Sequence, residues 1–284
     1  MSTSTRSPAP RGPASRLKAP ALYALMILVA LFFLTPVYVM LATSLKPLDQ
    51  ITLEQMWEWP RSISFQSYAV ALEKLRPNLI NTFRLVIPAT IISALVGSLN
   101  GYVLAKWRFR YADQVFTWLL FGMFVPYQSI LIPLIRFLQE IQLYNTIAGL
   151  VLVHVVYGIP ITTLMFRNFY AQIPDSLMDA ARIDGAGVWG TYVRIALPLS
   201  LPGFVVVGIW QFTQIWNEFL FAVSITQSTK QPIMVALQNL SGSQIVQWNV
   251  QMAAALIAAL PTLLVYILLG RWYVRGLMAG AVKG

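Results

Sequence analysis

Six apolar runs, each close to the length of a bilayer crossing, organise this chain: residues 21–43, 79–104, 115–137, 146–166, 202–225 and 252–271. A spanning helix needs about 20 mostly apolar residues, and each run supplies that length with few or no charges. The pattern predicts an all-α integral membrane fold of six transmembrane helices in one domain, residues 21–284. Pro36, Pro88, Pro126, Pro133, Pro160 and Pro261 fall inside or near the runs. Proline removes a backbone donor and bends a helix, and in a membrane it is tolerated where neighbours or water satisfy the freed carbonyl. A bundle with kinked members is expected.

Composition agrees with the pattern. The 284 residues are 57% hydrophobic and 11% charged, against about 25% charged in soluble domains. Residues 1–20 are rich in Ser, Pro and Ala and carry Arg6, Arg11, Arg16 and Lys18. Such a stretch has too little apolar surface to fold and reads as a disordered tail. The run after it is longer than a cleaved signal segment and lacks a small-residue cleavage pattern, so it is expected to remain as the first span.

A net charge of +10 would suggest nucleic acid in a soluble protein, but here the position of each charge matters more. Loops with more Lys and Arg stay in the cytoplasm. One side holds the four basic residues of the tail with Lys106, Arg108, Arg110, Arg167, Arg182, Arg194, Arg271, Arg275 and Lys283. The other holds Lys46, Arg61, Lys74, Arg76, Arg136 and Lys230. The first side is the richer, so both termini and the segment 174–198 are expected inside. On the outer side, the loops 44–78 and 226–251 are long enough to suggest a partner beyond the membrane, or a solvated loop with interfacial Trp57 and Trp59 in the first case. The chain has no cysteine, which excludes a disulfide framework and a thiol nucleophile. A single histidine, His154, argues against a multi-histidine metal centre.

Segment 174–198 breaks the apolar pattern between spans four and five. Pro174 suits the start of a helix, where its missing N–H would be unpaired anyway. Asp175 and Asp179 then lie toward the positive end of the helix dipole. Gly185 suits the stop, since glycine takes the left-handed conformation at little cost. A second helix over 188–196 would put Trp189, Tyr192, Val193 and Ala196 on one apolar face. On periodicity alone this is either an ordinary loop with an interfacial helix or a docking module. A DNA-reading helix-turn-helix is excluded by the tether at both ends and by having only Arg182 and Arg194 to meet phosphates. No nucleic-acid partner is expected.

The residues of this segment, Asp179-Ala180-Ala181, Gly185 and Ile195-Ala196-Leu197-Pro198, resemble the EAA loop of ABC-importer permease subunits. The extension Arg182-Ile183-Asp184-Gly185-Ala186 resembles the carbohydrate branch, close to the maltose-type second permease. Asp179 stands where that family usually has Glu, which keeps the charge and shortens the reach. Similar stretches run along the chain: Asn78 to Thr82, Gly101 to Lys106, Pro126 to Pro133, Leu143 to Thr146, and Trp216-Asn217-Glu218-Phe219-Leu220.

The resemblance implies a cytoplasmic coupling helix between spans four and five. Asp179, Ala180, Ala181, Asp184, Gly185 and Ala186 would dock on an ATPase whose closure moves the spans. It implies a second homologous permease, two ATP-binding subunits, an extracytoplasmic sugar-binding protein, and a place in the bacterial inner membrane. No GxxxxGK[ST] phosphate loop occurs in the chain. No cofactor of its own and no enzymatic activity are therefore expected; ATP and magnesium would sit in the partner ATPases.

Polar groups inside spans are costly and are functional candidates by default. Gln211, Gln214 and Glu218 share a helical face in the fifth run, with Asn217 beside them and Trp210 and Trp216 flanking. They read either as a lining for the translocation path, suited to a sugar's hydroxyls and ring faces, or as interhelical hydrogen-bond glue. Tyr127, next to Pro126, suggests a broken helix end near that path. Gly97 and Gly101 form a GxxxG for close helix packing, and His154 reads as a bonded interior histidine. Two rivals stay open: an ABC permease for another solute, and an ion-coupled secondary transporter. The second would need ionisable groups for coupling, for which only Glu218 and His154 offer themselves.

Overall fold

The computed structural model describes residues 13–52, 54–107, 109–242 and 247–281, with side chains described between Pro20 and Trp272. The expected tail up to residue 12, Arg108 and Lys283 lie outside them. Helix α1 runs from Pro13 to Ser44 and so begins inside the stretch expected to be a tail. Helix α2, Gln66–Lys106, is much longer than the apolar run within it. Its first turns occupy what the sequence offers as a polar outer loop.

Where the third span was expected, α3 (Ala112–Phe121) and α4 (Leu131–Glu140) are joined by short 3₁₀ turns and meet at 87°. Proline accounts for the break. Pro126 favours an extended residue before it, and Val125 is extended, with φ −73° and ψ 116°. Helix α5 spans Ile147–Ala171, capped by Thr146, whose hydroxyl accepts the Gly149 N–H at 3.0 Å. The charged segment follows as α6 (Asp175–Ile183) and α7 (Val188–Thr191). A π turn, Tyr192–Ala196, and the short α8 (Leu197–Leu199) carry α7 forward to a 73° bend at Ser200.

Helix α9, Leu201–Trp216, stops short of the end of the fifth apolar run. The chain breaks at Asn217–Phe219 and resumes as α10, Leu220–Ile225. The second long loop holds a helix of its own, α11 (Ile233–Ser241), before α12 (Trp248–Ala281). Among the described residues, four helices are long and apolar enough to cross a membrane, or up to six spans if each bent pair counts as one.

Helices α2 and α5 are the spine, and glycine lets them approach. A Cβ on Gly97 would lie 2.2 Å from Thr162 Oγ1, and one on Gly101 would lie 2.7 Å from the Arg167 backbone nitrogen. Helices α9 and α12 pack on α2, and α1 packs on α12. Two apolar cores follow. One, at the end away from α6, gathers Leu75, Leu85, Leu150, Trp216, Ile225 and Ile233. The other, beneath α6 and α7, gathers Tyr102, Phe166, Tyr170, Met178 and Tyr192.

Asparagine and threonine fasten the loops at the first end. Asn78 and Asn81 donate to the carbonyls of Gln231 and Thr229 at 2.7 and 2.8 Å, and the Ile233 N–H donates to Thr82 Oγ1 at 2.8 Å. Asn145, left-handed at φ 57°, donates its N–H to Ile225 O and accepts the Gln227 N–H on its side chain. These are the residues of two of the short stretches singled out in the sequence, and their role is to hold 226–233 against α2 and α5.

Candidate functional site

Two regions carry the polar chemistry, one at each end of α9. The first is the module α6–α8. Helix α6 is closed by a Schellman turn: the Gly185 N–H donates to Arg182 O at 3.0 Å and the Ala186 N–H to Ala181 O at 2.9 Å. Gly185 has φ +77°, and nothing lies within 4 Å of where its Cβ would be, so the need for glycine is one of backbone conformation alone.

Periodicity divides α6 into two faces. Met178 and Ala181 are buried on the core, while Asp179, Ala180, Ile183 and Asp184 are exposed. Ile183 is 87% exposed and Trp189, across the turn, 65%. The apolar face predicted for 188–196 is split. Tyr192 and Ala196 are buried, whereas Trp189 and Val193 turn outward; the π turn over Tyr192–Ala196 changes the helical phase from there on. Asp179 pairs with Arg182 at 3.0 Å along the exposed face.

The module is fastened to the spine by charge as well as packing. Lys106, at the end of α2, has a side chain only 5% exposed; its ammonium donates to Ile173 O at 2.5 Å and to Asp175 Oδ1 at 2.7 Å. The Tyr102 ring packs against Tyr170 and Tyr192, and its hydroxyl donates to Val188 O at 3.3 Å.

The second region is a cavity of about 630 Å³ bounded by α5, α9 and the breaks beside α3 and α10. Trp210, Gln211, Gln214, Asn217 and Glu218 all line it, and Tyr127 closes it from the α3–α4 break. The structure thus brings together the candidate path residues, although they come from a helix and its broken end rather than one continuous face. Gln211 is buried and donates weakly toward Ser93 Oγ at 3.3 Å and His154 O at 3.5 Å, above the glycine at 158, where a Cβ would meet Gln211 Nε2 at 2.0 Å. Gln214 and Asn217 are exposed. Trp216 is not part of this wall: it is 1% exposed, donates to Ala258 O at 3.0 Å and stacks on Phe212.

Glu218 sits in the α9–α10 break, where its carboxylate accepts the N–H groups of Phe221 at 2.6 Å and Ala222 at 3.1 Å. It caps α10. His154 is not the bonded interior histidine expected. Among the described residues its buried Nε2 has no hydrogen-bond partner, and it lies 3.7 Å from a Glu218 oxygen. Tyr157 and Phe221 join Tyr127 and His154 in an aromatic cluster, with centroids 5.1 to 6.5 Å apart. His154, Tyr157, Gly158 and Ile161 were the missed part of the wall. Their i, i+3, i+4, i+7 spacing is the signal that marks them as one face of α5.

This fold has known counterparts. Residues 97–278 match the model of the binding-protein-dependent transport system inner membrane component, and the chain belongs to that family of multi-pass membrane transport permeases. It is 45% identical over 265 residues to a probable ABC transporter permease protein of Pyrococcus horikoshii, covering 93% of this chain and 96% of that one. It is 35% identical to the xylose/arabinose import permease protein of Haloferax volcanii, with 93% and 94% covered. The melibiose/raffinose/stachyose import permease protein of Bacillus subtilis is 31% identical, with 95% and 99% covered. The fold is shared with a chain of a bacterial ABC transporter involved in the import of the acidic polysaccharide alginate, at a TM-score of 0.82 and 19% identity, over 93% of this chain and 99% of that one.

Proposed function

We propose that this chain is one permease subunit of an ATP-driven importer for a mono- or oligosaccharide, working in a bacterial inner membrane with both termini in the cytoplasm. The observation that carries this is the α6–α8 module: a short helix with a solvent-facing row of Asp179, Ala180, Ile183 and Asp184, fixed rigidly to the spine by Lys106. A face so exposed beside an immobilised base suits docking by another protein. Sugar as cargo is supported by the named relatives, which import xylose and arabinose or melibiose and its larger kin.

The partners are a second, homologous permease, two cytoplasmic ATP-binding subunits that hold ATP and magnesium, and a sugar-binding protein on the outer side. This chain's share of the work is mechanical. It lines half of the path, through Tyr127, Trp210, Gln211, Gln214, Asn217 and Glu218, and receives the ATPase stroke through Asp179 to Ala186. An aromatic and amide-rich wall of that kind suits sugars, whose ring faces are apolar and whose hydroxyls need hydrogen bonds.

The test is reconstitution with its cognate ATP-binding subunits, second permease and binding protein. Sugar accumulation that requires ATP is the expected result. Uptake by this chain alone on an ion gradient would overturn the reading.

A further inference from the structure

Beneath the module, four buried hydroxyls from four elements touch in sequence. Tyr192 OH lies 2.9 Å from Ser98 Oγ, Ser98 Oγ lies 2.6 Å from Tyr170 OH, and Tyr170 OH donates to Ser200 Oγ at 3.0 Å. Ser200 Oγ donates to Leu197 O at 2.8 Å. Ser98, Tyr170 and Ser200 are 0% exposed and Tyr192 4%. A hydroxyl carries one proton, which fixes every direction. Ser200 gives its proton to Leu197, so it must accept from Tyr170. Tyr170 has then spent its proton, so Ser98 must donate to Tyr170, and Tyr192 must donate to Ser98. The chain runs one way, from Tyr192 through Ser98, Tyr170 and Ser200 to Leu197 O, and uses each proton once.

Its route matters more than its existence. It starts in the π turn of the module, passes through α2 and then α5, and returns to the bend where the module gives way to α9. The module is therefore pinned to both spine helices at its π turn and at its bend. Apolar packing alone is non-directional and permits sliding. A hydrogen bond weakens steeply with angle, and in a dry site each link polarises the next.

We propose that Tyr192, Ser98, Tyr170 and Ser200 are positioning residues for coupling: their chain converts a displacement of the module into movement of α2, α5 and α9 instead of slippage at the bend. This rests on the ATP-driven reading above. The residues touch neither cargo nor ATPase, so their loss is expected in the efficiency of transmission and not in assembly.

Tyr192→Phe and Tyr170→Phe keep the rings and remove one link and two links respectively. In the reconstituted full transporter, sugar moved per ATP hydrolysed is expected to fall about threefold or more, since a broken link severs the directional connection between the module and the spine. Co-purification with the ATPases and thermal stability are expected to stay near wild type. Thr213→Val, which removes a hydroxyl bonded only to Ile209 O within α9, is expected to leave the ratio unchanged. Tyr192→Phe with Ser200→Ala is expected to be little worse than either alone, because both cut one chain.

A wild-type ratio in both Phe variants would overturn the proposal. So would losses that add in the double variant, or a fall in transport matched by equal loss of assembly at constant ratio. Absence of ATP-driven uptake in the wild-type complex would instead overturn the functional reading, so the two failures are distinct.

Discussion

The Nε2 of His154 faces a carboxylate oxygen of Glu218 at 3.7 Å across the cavity wall, while the same carboxylate holds the first N–H groups of α10. One acidic side chain thus caps the broken end of the fifth span while facing the middle of α5. Replacing Glu218 with Ala removes the cap. Loss of a capping side chain costs about 1 kcal/mol, and the cavity wall at Phe221 is expected to loosen with it. Glu218→Gln keeps one acceptor oxygen and should fall between. Thermal unfolding in detergent alongside uptake assays checks the order; equal stability of Glu218→Ala and wild type would show that the cap is idle.

Gly185 has room for a side chain but not the backbone conformation for one. Gly185→Ala is expected to cost about 1–2 kcal/mol from the left-handed φ alone, and Gly185→Asn less. Gly185→Pro forbids the turn, because proline fixes φ near −65°. That variant is expected to insert normally and to co-purify poorly with the ATPases. Normal co-purification and transport by Gly185→Pro would refute the assignment of a docking role to this turn.

The spine offers a steric contrast. Gly97→Ala and Gly101→Ala push a methyl into the backbone of α5, 2.9 Å from Thr162 C and 2.7 Å from Arg167 N respectively. Overpacking of this kind costs about 1–3 kcal/mol. Gly208→Ala, with nothing within 4 Å of the new methyl, should be neutral or slightly stabilising in the same melting experiment.

Lys106 and Asp175 are unequal partners. The Asp175 side chain is 72% exposed, and surface ion pairs contribute about 0–1 kcal/mol, so Asp175→Asn is expected to be mild. Lys106→Ala strips a buried donor from Ile173 O and should impair assembly with the ATPase far more. Similar effects of the two substitutions on co-purification would show that the ion pair, and not the carbonyl bond, fastens the module.

Much of this was readable beforehand, and the reasons differ by residue. Gly185 was legible because glycine takes a left-handed φ at the least cost, and Gly97 and Gly101 because small residues at four-residue spacing imply contact. The residues around the cavity were legible because polar groups in an apolar run stand out. His154 misled because one residue type fits several environments, and only the neighbourhood shows that its Nε2 has no partner. The 87° break was marked by Pro126, but its angle depends on what α3 and α4 pack against. The apolar face of 188–196 is split in part because a π turn has no sequence signature, and a single extra residue rotates Val193 and everything after it. The hydroxyl chain was hidden for a plainer reason: Ser98, Tyr170, Tyr192 and Ser200 lie far apart along the chain, and no periodicity links them.

The interruption between Phe124 and Tyr127 has a consequence for the state of the cavity it borders. A helix broken within hydrocarbon leaves amides and carbonyls that lipid cannot satisfy, and such breaks persist only against protein or water. Val125 and Tyr127 both face the cavity, so the cavity is expected to be wet. A solute entering it would shed its own hydration shell against a surface already solvated. On the proposed function, the selectivity of this half of the path is a matter of dehydration: which molecules can exchange their water for amides and aromatic faces without loss.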